Sequence, residues 1–243
     1  LKRANLTLVT GALVDRVMFE GTRAAAVSYE VAGEKRSARA RAEVILAAGA
    51  YNSPQILMRS GVGPAEHLHA LGIAVVADRP EVGCNLQDHP ASGVDFARTT
   101  PGELHRELRL DRLCVNLARA WCLGTGPATI PLASGTAFVK SASEIELPDL
   151  QLLFRAYSPD MGPWFPGLRA AKADGIGVTL CHLRPQARGS LELASRDPRA
   201  SPLFVNNFLA SESDRRALRT GIRFARRVLG QSAFDRVRGN ELL

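Results

Sequence analysis

The segment with the widest chemical range in this 243-residue sequence is a short polar stretch that contains Asn85, Asp88 and His89. A histidine beside a carboxylate has the residue types of a general base with its orienting partner, or of two members of a hydrolytic triad. Neighbouring residues in an extended segment point to opposite sides, so Asp88 and His89 are not expected to bond each other. No Gly-x-Ser-x-Gly elbow supplies a nucleophile. A hydrogen-bonded turn joining two domains is therefore favoured, with direct catalysis as the alternative.

A second set of candidate residues lies further along the chain. Tyr157, Trp164 and Phe165 belong to an aromatic loop, and His182 lies on a predicted strand. Aromatic side chains and histidine line many small-molecule cavities, so these four residues are candidates for substrate binding. The alternative is that the loop covers the edge of a core and that the histidine is a hydrogen-bonded structural residue.

No metal site is predicted from the other histidines and the cysteines. His67 and His69 lie two residues apart on a short predicted helix, so their side chains point to different faces. The four cysteines are scattered without a Cys-x-x-Cys pair, which favours reduced thiols in a cytoplasmic protein. No apolar run approaches the roughly 20 residues that cross a bilayer, so no membrane span is expected.

The elements that must position these residues begin with a predicted antiparallel meander. Its four strands cover residues 6–10, 13–19, 24–31 and 37–43, and glycine-containing turns separate them. The apolar run at 44–47 then has the pattern of a strand buried on both faces within a parallel sheet. Ser53 and Pro54 predict the N-cap and the first position of the next helix. A short helix at 64–71 and a strand at 73–77 follow.

The later part of the chain predicts an antiparallel sheet with helices on one face. The predicted helices cover residues 104–123 and 213–229, and the predicted strands cover 137–140, 150–157, 176–183 and 190–193. Ser211 or Ser213 caps the last helix, and Gly230 closes it. The loop before 190–193 is long enough for this strand to pair with 176–183. The fold class is thus mixed α/β (α+β).

Three blocks of the sequence resemble the glucose-methanol-choline (GMC) family of flavin-dependent alcohol oxidoreductases. Residues 49–63 match the family's second signature at its Gly, Ser-Pro and Ser-Gly-Val-Gly positions. Residues 82–90 are similar to the family's Gly-x-Asn-Leu-x-Asp-His segment, and residues 188–209 resemble the start of its C-terminal region. The resemblance spans nearly the whole chain and is weakest between residues 98 and 149.

The resemblance implies a partial FAD-binding domain with a β-meander at residues 1–90. It implies a truncated substrate-binding domain, an antiparallel sheet flanked by helices, at 91–243. The residues that it assigns to the cofactor side are Val14, Ala48, Gly49, Asn85, Asp88 and His89. The first three would contact the adenosine end of FAD through their backbone, since a small residue and a glycine permit close approach. The other three lie where the flavin and substrate regions of the family meet.

The activity implied by the resemblance is hydride transfer to flavin from the CH–OH group of choline or another small alcohol. The family's Gly-x-Gly-x-x-Gly turn, which follows a strand, has no counterpart here, because Gly61 and Gly63 follow a predicted helix. The family's C-terminal catalytic histidine is not matched either, so no residue is assigned as catalytic. We therefore expect the central fragment of a longer enzyme, inactive alone and unable to retain FAD.

The charge balance leaves one rival function open. The chain carries 31 basic and 24 acidic residues, a net charge of +7, with much of the excess on the last predicted helix. On that helix Leu218, Ile222 and Leu229 form an apolar stripe, so the arginines have the positions of a solvated face. Aromatic interleaving and zinc-finger spacing are absent, which disfavours nucleic-acid binding. The rival is a non-catalytic binding module whose basic helix docks an anionic partner.

Overall fold

A computed structural model describes residues 3–129 and 135–242. Its strands are β1 (Ala12–Glu20), β2 (Arg23–Val31), β3 (Glu34–Arg39), β4 (Val62–Gly63), β5 (Ala77–Asp78), β6 (Ala91–Arg98), β7 (Gly135–Val139), β8 (Leu150–Arg155), β9 (Gly175–His182), β10 (Ser190–Glu192), β11 (Leu203–Val205) and β12 (Arg238–Leu242). Its α-helices are α1 (Gly49–Arg59), α2 (Ala65–Ala70), α3 (Glu103–Glu107), α4 (Leu110–Leu123) and α5 (Glu212–Leu229). The chain forms two compact units. Each unit consists of two segments of the chain. The first unit contains the residues up to Asp88 and Ala187–Phe208, and the second unit contains His89–Gln186 and the residues from Leu209 onward.

The first unit contains the predicted meander, with three strands instead of four. β1, β2 and β3 form an antiparallel sheet in that order, with Val17 opposite Val27 and Val27 opposite Ala38. The predicted strand at 6–10 is wrong, because that segment is irregular and Leu8 is exposed. A strand needs a partner for its backbone groups, and the meander ends at β1 on that side.

The predicted buried strand at 44–47 is also wrong. The segment is irregular, and the Ile45 side chain is 77% exposed. An apolar run of this kind becomes a central strand only when neighbouring strands pair with it on both sides. Among the strands of the described residues, β4 and β5, of two residues each, are the one pair that is parallel. Residues 44–47 therefore have the composition of a buried strand, but no strand pairs with them.

Helix α1 begins earlier than its sequence predicts. Ala48 is at the N-cap position and Pro54 lies inside the helix, whereas Ser53 and Pro54 were expected to start it. The Ser53 hydroxyl instead accepts a hydrogen bond from the Ala48 backbone N–H at 3.0 Å. Ser53, five residues after Ala48, thus stabilises the start of α1 from inside the helix. The buried face of α1 joins a core that consists of Met58, Leu68, Ile73, Leu191 and Leu193.

The second unit confirms the predicted antiparallel sheet with a helix on one face. Its five strands run in the order β12-β6-β9-β8-β7, and every pair is antiparallel. Helix α5 packs on one face through a core that includes Leu152, Val178, Leu180, Leu218 and Leu229. The helix approaches closely at Gly221, where a Cβ atom would lie 2.5 Å from a Leu180 methyl carbon. The cap is as predicted, because the Ser211 hydroxyl accepts the Ser213 backbone N–H.

One further prediction for this part of the chain is wrong, and another is confirmed except for a break. β10 pairs with β11 in a separate two-stranded sheet of the first unit and does not pair with β9. The Leu191 backbone N–H donates to the Gly83 carbonyl at 2.7 Å, so a distant contact outweighs the local hairpin. The helix predicted at 104–123 is divided into α3 and α4. Trp164 causes the break by accepting a hydrogen bond from the Leu110 N–H through its carbonyl.

Candidate functional site

The start of α1 offers exposed backbone with room for a ligand. Gly49 has φ +84°, a left-handed conformation that glycine adopts without strain, and a Cβ atom there would contact nothing within 4 Å. Ala48 and Gly49 are both exposed. The first turn of α1 carries no acidic residue, and the N-cap side chain makes no capping bond. Small residues beside open space fit the close approach of an adenosine group, as the resemblance implies.

Val14 is half-buried on β1, opposite Tyr29 of β2. The strand pairing shifts register between Val14 and Arg16, so Asp15 occupies a bulge. A bulge redirects the backbone and leaves a residue without its ladder partner. The backbone next to Val14 is thus irregular, which suits a strand that offers main-chain groups to a ligand. The cofactor roles of Val14, Ala48 and Gly49 stay predictions.

The polar stretch around Asn85 is a turn that hydrogen bonds hold on both sides. Leu86 and Gly189 exchange two backbone hydrogen bonds, at 3.0 and 2.8 Å. Gly83 has φ +92°, and a Cβ atom there would lie 2.1 Å from the Leu191 carbonyl oxygen, so no other residue fits. Asn85 also has a positive φ, of 60°, and is exposed. The turn interpretation agrees with this geometry.

Asp88 and His89 are both exposed, and they fall in different units. The chain passes from the first unit to the second between these two residues, with Asp88 in the first unit and His89 in the second. Each has an interaction partner. A role for Asn85, Asp88 or His89 at the flavin remains a prediction.

His182 is a buried residue whose two ring nitrogens are both engaged. Its Nδ1 lies 3.1 Å from the Asp149 carbonyl oxygen, and its Nε2 lies 3.3 Å from Oδ1 of Asp214. The side chain sits on the face of β9 that α5 covers and is 5% exposed. Both ring nitrogens thus face oxygen atoms of the protein. The geometry fits the structural alternative, and substrate contact by His182 stays a prediction.

The predicted aromatic loop packs against the junction of α3 and α4. The Trp164 indole N–H donates to the His105 carbonyl at 2.9 Å, and the two rings lie 5.3 Å apart. Phe165 and Arg169 exchange two backbone hydrogen bonds that close a turn, and the Phe165 side chain is exposed. Tyr157 is half-buried and follows β8. Trp164 and Phe165 are thus held together on one loop, while His182 lies under α5. A substrate-binding role of Tyr157, Trp164 and Phe165 stays a prediction.

The sequence reasoning missed the carboxylates that organise the second unit. Asp214 is fully buried in the first turn of α5 and accepts the Gln186 backbone N–H at 2.8 Å. A carboxylate three residues after a serine N-cap is favoured by the helix dipole, and this spacing was visible in the sequence. Asp149 accepts both the backbone N–H and the hydroxyl of Ser141, at 2.7 and 2.6 Å. Both acids act as fixed anchors.

A second polar group lies on the sheet face opposite α5. The Arg155 guanidinium donates to Asp95 at 2.9 Å and to the Thr179 hydroxyl at 3.0 Å. Gly177 makes this possible, because a Cβ atom there would lie 2.1 Å from Oδ1 of Asp95. On the same strand, burial raises the pKa of the Cys181 thiol and so disfavours the reactive thiolate. All four cysteines are free.

The described residues contain no group of three His, Cys, Asp or Glu side chains that is arranged to hold a metal ion. Among the helices in residues 3–129 and 135–242, none has the length and apolarity needed to cross a membrane.

Comparison with known proteins gives consistent matches along the chain. Two models of one family, described as GMC oxidoreductase, match residues 1–91 and 185–242. The oxygen-dependent choline dehydrogenase of Pseudomonas syringae pv. syringae is 40% identical over 99% of this chain and 42% of its own length. That of Chromohalobacter salexigens is 38% identical over the same shares. The chain thus spans less than half of the relatives that it matches.

Solved structures with low sequence identity share the fold. Pyridoxine 4-oxidase from Mesorbium loti has a TM-score of 0.79 at 24% identity, covering 100% of this chain and 43% of its own. A variant of the Aspergillus oryzae formate oxidase, studied for its FAD modification, has a TM-score of 0.83 at 23% identity, covering 99% of this chain and 46% of its own.

Proposed function

This chain belongs to the GMC oxidoreductase family, and on that premise we propose that it is part of an FAD-dependent enzyme that oxidises the CH–OH group of a small alcohol. The observation that carries the proposal is the 40% identity to an oxygen-dependent choline dehydrogenase over 99% of the chain. The aligned region takes in both units, including the part of the second unit between the two matched family segments. Choline is accordingly the first substrate to test.

The residues of the first unit that would hold FAD are those with accessible backbone. Val14 would contribute from the irregular part of β1, and Ala48 and Gly49 from the open turn before α1. FAD, when bound, supplies the hydride acceptor for alcohol oxidation. The hydrogen bond from the Ala48 N–H to Ser53 would keep the turn in one conformation, which favours binding because less freedom is lost.

The second unit would supply the substrate region, with Tyr157, Trp164 and Phe165 as its aromatic contacts. His182 would stabilise that unit and would not act as the base that removes the alcohol proton. Its nitrogens are already directed at Asp149 and Asp214, and α5 covers it. General-base catalysis requires a group within hydrogen-bonding distance of the substrate hydroxyl, so no residue of this chain is assigned that role.

We propose that the 243-residue chain alone does not retain FAD and is inactive. It has no Gly-x-Gly-x-x-Gly turn between a strand and a helix to bind the pyrophosphate. Binding of FAD costs translational freedom, and contacts to adenosine alone offset little of this cost, so binding should be weak. The purified chain should be colourless, and titration with FAD followed by flavin fluorescence should not saturate in the micromolar range. Stoichiometric binding would contradict this proposal.

The activity itself is best tested on the product of the complete reading frame that contains this chain. Anaerobic mixing with choline should bleach the visible absorbance of the oxidised flavin, and a panel of neutral primary alcohols serves as comparison. Bleaching by neutral alcohols but not by choline would support alcohol oxidation and would exclude choline as the substrate. No bleaching by any alcohol would reject the proposed function.

The rival function, docking of an anionic partner on the basic helix, has less support. Arg215 and Arg219 both pair with Glu212, and Arg226 donates to Glu241 at 2.8 Å. These ion pairs neutralise part of the helix surface that would attract an anion. Binding of heparin or nucleic acid that disappears when Arg223 and Arg227 are replaced by glutamate would favour the rival.

A further inference from the structure

A cavity of about 480 Å³ lies in the first unit beside β1, and we propose that it binds a small organic anion with a phosphate or carboxylate group. Residues of β1, the end of α1 and the segment 72–76 line it, together with Arg196. The proposal concerns this cavity alone and does not depend on the flavin chemistry proposed above.

The first reason is a buried guanidinium that lacks a full set of partners. Arg59 lines the cavity and is 7% exposed. Its Nε donates to the Asp15 carbonyl at 2.8 Å, but its Nη1 is buried and makes no hydrogen bond to any described residue. A charged group is seldom buried without a partner, because desolvation is costly. An oxyanion in the cavity would supply the missing acceptor after a small movement of the side chain.

The electrostatics of Arg59 point the same way. Burial lowers the pKa of its guanidinium, and the charges of Asp15 and Asp197 oppose the shift without cancelling it. The group stays positive at neutral pH, since arginine does not lose its proton in proteins. The local carboxylates therefore leave part of the buried charge uncompensated.

The other charges around the cavity are mainly positive. Arg16 and Arg196 line it with Arg59, and Asp15 is the acidic residue among its lining. Arg16 lies 3.7 Å from the Asp15 carboxylate, so these two offset each other. Arg196 is exposed and donates through Nη1 to the Gly72 carbonyl at 3.3 Å, which leaves its other N–H groups for a ligand. Two arginines are suited to bidentate binding of phosphate or carboxylate.

The rest of the cavity lining includes a buried serine and apolar side chains. The Ser60 hydroxyl accepts the Val17 N–H at 2.8 Å and donates to the Ile56 carbonyl at 2.5 Å, so its one proton is not available to a bound anion. Ile73 and Val76 supply apolar surface. The volume lies within the usual 300–1,000 Å³ of small-molecule sites, larger than a lone inorganic ion needs. The ligand class is therefore an anion attached to a small organic group.

The test is isothermal titration calorimetry of the purified 243-residue chain at constant ionic strength. The probes are inorganic phosphate, AMP and succinate. We expect saturable binding of at least one, with AMP tighter than phosphate if the organic group is recognised, and succinate tightest if the site prefers carboxylates. Arg196→Leu should weaken binding about ten-fold or more, which corresponds to one charge-assisted hydrogen bond. Arg196 is exposed, so this variant should fold normally.

Arg223→Leu is the matched control, because Arg223 is an exposed arginine on α5 in the second unit and its loss changes the net charge equally. Equal weakening by both variants would mean nonspecific attraction and would overturn the proposal, as would the absence of saturable binding by any probe. Binding to this chain but not to the product of the complete reading frame would also overturn it, because another part of the protein would then fill the cavity. Alcohol oxidation is measured separately, so failure here leaves the proposed function intact.

Discussion

The two units differ in how much of their structure they complete by themselves. The second unit has a five-stranded antiparallel sheet, and one amphipathic helix covers a face of it. Its most buried carboxylate, Asp214, has partners. The first unit has a three-stranded meander, two small sheets and an exposed Ile45. Antiparallel strands paired along one chain satisfy their own backbone, whereas a parallel strand needs neighbours that are distant in sequence.

The largest expected effect tests whether Asp214 holds the second unit together. Asp214→Ala removes a partner of the buried His182 ring and of the Gln186 N–H, and we expect a loss of about 3–5 kcal/mol in the free energy of unfolding. Urea unfolding followed by circular dichroism measures it. Asp160→Ala, at an exposed position, is the control and should change stability by less than about 0.5 kcal/mol. Equal effects of the two variants would contradict the anchoring role.

A second pair of variants compares the apolar interiors of the two units. Leu152 is fully buried in the core of the second unit, so Leu152→Ala should cost about 2–5 kcal/mol. Ile45 is mostly exposed, so Ile45→Ala should cost less than about 0.5 kcal/mol. The same urea titration measures both. A cost above 2 kcal/mol for Ile45→Ala, roughly the lower limit for a buried side chain, would show that 44–47 is packed in solution.

Two glycines permit a smaller comparison. Gly221→Leu places a side chain against Leu180 and Leu150 in a dense core and should cost about 3 kcal/mol, from overpacking. Gly49→Leu meets open space, so only its positive φ opposes the change and the cost should be about 1 kcal/mol. Melting temperatures rank the two variants. The reverse ranking would mean that the turn at Gly49 is more crowded than the structure indicates.

The smallest effect concerns an exposed ion pair at the start of α4. Arg109 donates two hydrogen bonds to Asp111, at 2.7 and 2.6 Å, and mainly these bonds lower the pKa of Asp111 to about 2. Because the folded-state pKa is lowered, the stabilisation is present above about pH 4 and is lost as the pH falls toward 2. Asp111→Asn should therefore reduce stability slightly at pH 6 and not at pH 2. NMR titration of the carboxyl carbon checks the pKa, and an ordinary value would contradict the pairing.

The local elements were predictable because their causes are local. Short runs between turn residues predicted β1, β2 and β8, and the caps Ser211 and Gly230 predicted both ends of α5. The residues in the turn around Asn85 were recognised from types that favour turns. These features need only short stretches of sequence.

The errors share a different cause, since each depends on a partner that is distant in sequence. The 44–47 run lacked a sheet, and β10 bonds to Gly83 and β11 instead of to its neighbour in sequence. The pairing of His182 with Asp214 joins a strand to a helix that begins well after it. The unpaired nitrogen of Arg59 is likewise visible only in three dimensions. Periodicity carries no information about such pairings.

The interruption of the first unit by the second has a consequence for folding on the ribosome. The first unit requires Ala187–Phe208, whose Leu191 completes its core, but that segment emerges only after residues 89–186 of the second unit. At roughly 5–20 residues per second, about 5–20 s separate the synthesis of Asp88 from that of Leu191. During this interval Met58 and Leu68 lack a core neighbour. The nascent first unit is thus exposed to chaperones and proteases for many times longer than a helix or hairpin needs to form.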